Sequence, residues 1–214
     1  MTPAIPGVRS AAGFSIKSGW AAVVLLTGPA SSPRLADARR VELSDPADPD
    51  GRQPYHAGFG TARAAGPDLN RRVGSVRRFG RRAAAGVLRE YEAAGHVLAG
   101  AGLVVGSLID PAGIANDHIR IHALEGRLFR QIVEQAAARR RLPCLVWRAR
   151  DIYREAAATL RRPELAIRTR LAELGRDARG RWRAEDKRAA LAAWLVLAGW
   201  KPPSERAGRR RSAA

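Results

Sequence analysis

The chain has 214 residues, 38 Lys and Arg against 20 Asp and Glu, a formal net charge of +18, 46% hydrophobic residues and a single cysteine, Cys144. That length and apolar content suit one globular domain, and no run approaches the roughly 18 uninterrupted apolar residues of a membrane span. One cysteine excludes a disulfide framework and a thiolate metal cage, so a reducing cytoplasm is the expected compartment.

Only Lys17, Lys187 and Lys201 are lysines, so 38 basic residues less three leaves 35 arginines. Such an excess favours a polyanionic partner, DNA or RNA held through its phosphates, because released counterions drive the association. A high-GC coding bias toward Arg and Ala at exposed positions accounts for the same composition equally well. Residues 201–214 read as a basic disordered tail.

Met1 to Ala11 carries Pro3, Pro6 and Gly7 and reads as a loose lead-in. Gly13–Lys17 alternates as a strand, Ser18-Gly19 is a tight turn, and Trp20–Thr27 is a second strand rather than a signal segment. A third strand is expected around Arg39–Leu43. The loop from Ser44 to Gly60 is rich in Pro, Asp and Gly but carries Arg52, Gln53, Tyr55 and His56. A long loop so furnished is either functional or a surface loop whose Tyr55 packs down.

A helix pattern runs from Asp68 to Ala94 with arginines interleaved and Gly95 as its stop. Leu103–Ile109 is apolar and β-branched, as in a buried strand that Asp110-Pro111 ends. Asn116 or Asp117 then caps a helix in which Ile121, Leu124, Leu128, Phe129, Ile132, Val133 and Ala136 share one face. His118, His122 and Glu125 fall by spacing within that face, and Arg120, Arg127, Arg130 and Glu134 fall opposite. Pro143–Trp147 reads as another buried strand. Helices follow at Arg150–Leu160, Glu164–Leu174 and Ala184–Ala198, the last placing Lys187, Leu191, Trp194, Leu195 and Ala198 on one face, before Pro202-Pro203.

This order predicts one α/β domain over residues 12–200. Its mixed five-stranded sheet has three antiparallel strands, then two parallel ones, with helices on both faces. The order resembles the RNase H-like fold, and the C-terminal half resembles RuvC-type Holliday-junction resolvases. Gly13–Gly19 stands where such a protein has its glycine–hydrophobic–aspartate opening strand. Leu142–Val146 resembles the family's fifth strand, and Glu185–Ala192 its acidic, alanine-rich last helix. The resemblance implies nucleic-acid chemistry by carboxylates of the first strand, fourth strand and last helix, binding two Mg²⁺ ions. Here Ser15 holds the first position, Val105-Gly106-Ser107 the second, and Asp186 with Ala189 the helix pair; Asp110 and Glu185 are carboxylates at shifted positions. The expectation is a nucleic-acid-associated relative, an atypical or inactive nuclease.

Two further constellations stand beside that resemblance. His118, His122 and Glu125 have the helical spacing of three metal ligands, or of polar groups bonded to arginines and backbone around a core. In the expected sheet, Lys17, Asp110, the His118 cluster and the start of the last helix converge at the strand ends, where ligands of α/β sheets bind. Lys17, His118, His122, Glu125 and Asp186 are therefore candidate catalytic residues; Arg52, Gln53, Tyr55, His56 and Lys187 are candidate anion-binding residues. No motif names a cofactor, a divalent metal ion being the one candidate raised, and no glycine-rich phosphate loop opens a helix. An enzyme acting on a small anion through the His/Glu/Lys cluster, and a non-catalytic interaction module, remain open beside the nuclease relative.

Overall fold

The computed structural model describes residues 7–58 and 60–199; the basic tail and Pro202-Pro203 lie outside the described residues. β1 (Arg9–Lys17) and β2 (Trp20–Thr27) form a hairpin across Ser18-Gly19, where Gly19 takes a φ of 82° that suits glycine. β3 (Arg34–Glu42) completes the meander, starting five residues before the expected strand. β1 also begins earlier than expected, at Arg9.

The long loop is not structureless. A 3₁₀ turn at Pro49–Arg52 leads into a small hairpin, β4 (His56–Gly58) and β5 (Thr61–Ala62), which no sequence pattern announces. α1 (Pro67–Ala93) starts with proline at its first position, and Gly95 follows it at a φ of 88°. β6 (Val97–Val105) is then displaced toward the N-terminus from the expected Leu103–Ile109. Leu108 and Ile109 are exposed instead, because the chain leaves the sheet at Gly106, beyond the last pairing partner on β1, Ser15 with Val104.

α2 (Asp117–Ala138) is capped by Asn116, whose side chain accepts from the Ile119 N–H. β7 (Cys144–Arg148), α3 (Ile152–Leu160), α4 (Glu164–Leu174) and α5 (Ala184–Leu197) complete the chain. The main sheet has the order β3-β2-β1-β6-β7, with β1 antiparallel to β2 and parallel to β6, and β6 parallel to β7. The expected mixed five-stranded sheet is thus observed.

Side chains of β1 alternate between two cores. Ala12, Phe14 and Ile16 join Leu103, Val105 and the apolar faces of α1 and α2. Ala11 joins Val24, Leu26, Val104 and the layer of α3, α4 and α5. Burial on both faces explains why β2 and the end of β6 read as continuous apolar runs. The stretch Ala189–Leu197 of α5 is buried all round, between the sheet and α3–α4, where the sequence predicts only one buried face. Its alanines lie so close to the sheet that a methyl on Gly102 would sit 2.7 Å from the Ala192 carbonyl oxygen. Glycine in β1 and β6, and alanine in α5, are what let the helix start reach the strand ends.

Candidate functional site: a basic cavity and a histidine cluster

A cavity of about 380 Å³ opens at the C-terminal ends of β1 and β6, bounded by α2 and the start of α5. Ser15, Lys17 and Ser18 come from the first hairpin, Gly106 and Ser107 from the end of β6, and His122, Arg127 and Arg130 from α2. Arg188 enters from α5, and Ile109, Ile114 and Ile119 form an apolar side. The cavity exists because β1 and β6 end side by side while α2 starts a dozen residues beyond β6, leaving a gap that no core side chain fills.

Every charged side chain lining this cavity, among the described residues, is a cation or the histidine; carboxylates appear only as partners of the cations. Glu185 lies 3.4 Å from Lys17 and 3.8 Å from Arg188. Burial works against its ionisation, but its own backbone N–H, Lys17 and Arg188 outweigh that and hold the carboxyl below its usual range. Asp110 lies 3.3 Å from Arg127, and Glu134 3.4 Å from Arg130. The Arg127–Asp110 pair is exposed on both sides, and such a pair contributes only about 0–1 kcal/mol, so Arg127 can exchange to an incoming anion; the other pairs are half-buried.

Beside the cavity, His122 also borders a second one of about 390 Å³ with His56, His118, Gln53 and Arg63. The ring centroids of His118 and His122 are 4.6 Å apart and those of His56 and His122 5.0 Å apart. Beneath them lies Glu125, fully buried on α2. His56 Nδ1 is 2.7 Å from Glu125 Oε1, and His122 Nδ1 is 3.8 Å from Oε2, an oxygen with no hydrogen-bond partner. Burial raises the Glu125 carboxyl, opposed by the bond from His56 and by the backbone of Tyr55. Burial lowers His122, and the neighbouring charges that His118 and His56 would carry push it the same way.

The structure divides the candidates. Lys17 lines the first cavity, Gln53, His56 and His118 the second, and His122 both, while His56 is bonded to Glu125. Of the helical trio only Glu125 faces inward; His118 and His122 are exposed, as is Ile119 between them, so the buried face of α2 is not yet covered at its start. Tyr55 is half-buried against the α1–α2 core, which also presses its hydroxyl pKa upward. Arg52 is exposed and 3.6 Å from Glu42. Asp186 accepts from the Arg183 N–H at 2.7 Å, closing the first turn of α5, and borders a different cavity beside Trp20 and Arg40. On α5 the cation lining the strand-end cavity is Arg188, next in sequence to Lys187. Sequence reasoning places Arg127 and Arg130 on a solvated face and misses Arg188 entirely; its spacing three residues after Glu185 is the available signal.

These residues do not fit a two-metal carboxylate centre. Such a centre needs clustered oxygen donors of net negative charge. Ser15 stands on β1, Ser107 follows β6, and Lys17, Arg127, Arg130 and Arg188 occupy the space between. The nitrogen donors are a different matter: His56, His118 and His122 each offer a ligand atom, all within 4.8 Å of one another.

Among the described residues no helix is long and apolar enough to cross a membrane. No family model matches the chain, and no curated protein matches it either. Solved structures do match. The Thermus thermophilus RuvC structure shares 11% identity over 93% of this chain and 96% of that one, with a TM-score of 0.52. T. thermophilus RuvC in complex with Holliday junction substrate shares 13% identity over 87% and 90%, with a TM-score of 0.51. At such identity the likeness is one of fold alone: the chain has the RuvC-like, RNase H-like arrangement of a mixed five-stranded sheet with helices on both faces.

Proposed function

We propose that this protein binds nucleic acid through phosphates drawn to the strand-end cavity, as an atypical RuvC-like protein that does not use the two-metal carboxylate reaction. The supporting observation is the cavity lining: Lys17, Arg127, Arg130 and Arg188 surround the place where a nuclease of this type would need carboxylates. Arg71, Ser75, Arg78 and Arg82, all exposed, extend along one face of α1 and add basic surface for a longer backbone track. One similar structure holds a Holliday junction substrate, which makes a four-way DNA junction the first probe to use here.

The test is anisotropy of a labelled four-way junction and of a duplex, titrated over a range of salt. Affinity should fall steeply with salt, and Lys17→Gln with Arg188→Gln should make the slope shallower by roughly one for each phosphate no longer neutralised. Absence of binding at low salt, or binding that ignores salt, overturns the reading.

A second reading, an enzyme for a small anion, is favoured by the cavity's size. About 380 Å³ lies within the roughly 300–1,000 Å³ usual for small-molecule sites, and its isoleucine side supplies apolar contact. Thermal-shift measurements with inorganic phosphate, nucleoside phosphates and dicarboxylates separate the readings: a large shift with one small anion, together with weak DNA binding, would favour the enzyme.

A further inference from the structure

We infer that His56, His118 and His122 form a three-histidine site for a borderline divalent cation such as Zn²⁺, with Glu125 orienting two of the ligands from beneath. The inference does not rest on nucleic-acid binding.

Each ligand arrives by a separate structural route. His118 and His122 are four residues apart on the first two turns of α2, so they stack on one side of the helix. His56 opens β4, and the small hairpin folds it down onto that helix. Ligand atoms within 4.8 Å of one another need only modest side-chain rotation to reach the shorter spacing that tetrahedral Zn–N bonds of about 2.0–2.1 Å require.

Glu125 is what separates this cluster from three adjacent histidines on a surface. Its carboxylate is fully buried; His56 Nδ1 is hydrogen-bonded to Oε1 at 2.7 Å, and His122 Nδ1 is the nitrogen near Oε2, at 3.8 Å. A histidine that donates through Nδ1 presents the lone pair of Nε2 on the opposite side of the ring. Both rings can then offer Nε2 toward the 390 Å³ cavity that His118 also lines. Metal-bound histidines commonly donate their other N–H to a carboxylate in this way. The arrangement also accounts for Glu125 Oε2, buried without a hydrogen-bond partner. Small rotation of His122 on binding a cation would close its 3.8 Å gap and satisfy that oxygen.

Imidazole nitrogens favour Zn²⁺, Co²⁺ or Ni²⁺ over Mg²⁺, which takes oxygen ligands. Three protein ligands leave a fourth tetrahedral position for water on the cavity side, the pattern of an open zinc site.

The experiment uses the full chain, stripped with a chelator, and Zn²⁺ or Co²⁺ alone. Calorimetry should show one equivalent of Zn²⁺ bound, and Co²⁺ should give the intense visible bands of tetrahedral coordination. His118→Ala, at an exposed position, should abolish the bands and any rise in melting temperature caused by Zn²⁺. Glu125→Gln should weaken Zn²⁺ by about 10–100-fold, as outer-shell substitutions do. Binding of less than one equivalent, octahedral-type weak bands, or an affinity unchanged in His118→Ala would overturn the site. If Glu125→Gln fails to fold, the His118→Ala result still decides.

Discussion

His56 Nδ1 lies 2.7 Å from Glu125 Oε1, so a side chain of the small hairpin is bonded to a buried carboxylate 69 positions further along the chain. That bond holds the hairpin against α2 and brings the second cavity next to the first.

Glu125→Gln keeps an amide oxygen that accepts from His56 while removing the buried charge. Burial raises the Glu125 carboxyl above its ordinary 4.5. The folded state therefore holds this proton more tightly than the unfolded chain, and the contribution is lost as pH rises from 4.5 through the folded value. Urea unfolding should show Glu125→Gln near wild type at low pH and gaining on it across that window. Glu125→Ala should instead cost about 1–3 kcal/mol, because it leaves His56 Nδ1 without its partner. A glutamine variant that loses ground as pH rises would mean that the ionised carboxylate stabilises the fold.

His122 gives a pH dependence of opposite sense. Burial, then the charges of His118 and His56, lower it from 6.5. As pH falls below 6.5 the unfolded chain takes up this proton first, so stability declines until the lowered folded value is passed. His122→Gln should flatten that decline in denaturant midpoints measured between about pH 7 and 5. The side chain is half-exposed, which keeps the effect small.

The close approach of α5 to the sheet predicts a strong response to a single methyl. Gly102→Ala would place a Cβ 2.7 Å from the Ala192 carbonyl oxygen and 3.0 Å from its Cβ, at a cost of about 1–3 kcal/mol or more. Gly126→Ala meets nothing within 4 Å on α2 and should stabilise by about 0.5–1 kcal/mol. Thermal melts of the two variants should move in opposite directions.

Cys144 is half-buried at the start of β7, and burial, with Glu134 adding to it, pushes its thiol up to about 12. Iodoacetamide at about pH 8 should label it slowly in the native protein and completely in denaturant, since the thiolate is the reactive form. Rapid native labelling would contradict the packing of β7 against α2.

The sheet order is readable because β2, β6 and β7 carry apolar runs long enough to mark strands, β1 alternates, and Pro111 stands after the run that holds β6. The bounds of β6 are not, because Leu108 and Ile109 continue the apolar pattern after the chain has left the sheet; only pairing with β1 ends it. The convergence of Lys17 with the His122 region follows from topology. The bond between His56 and Glu125 does not, since a three-residue strand in a Pro- and Gly-rich loop leaves no periodicity to read. Arg188 is only partly legible: its i,i+3 spacing from Glu185 marks an ion pair, but not that the pair turns toward a cavity. The inward position of Glu125 is legible from its place within an apolar face, and it is the buried member of its trio.

The central claim is that the strand-end cavity receives phosphate without a carboxylate metal centre. It is tested most directly by one sample of protein, labelled four-way junction and Mg²⁺ or Mn²⁺, read for both binding and cleavage. The predicted result is a salt-sensitive complex with uncut DNA, weakened by Lys17→Gln and Arg188→Gln. Metal-dependent cutting that disappears in Glu185→Gln or Asp186→Asn would contradict it.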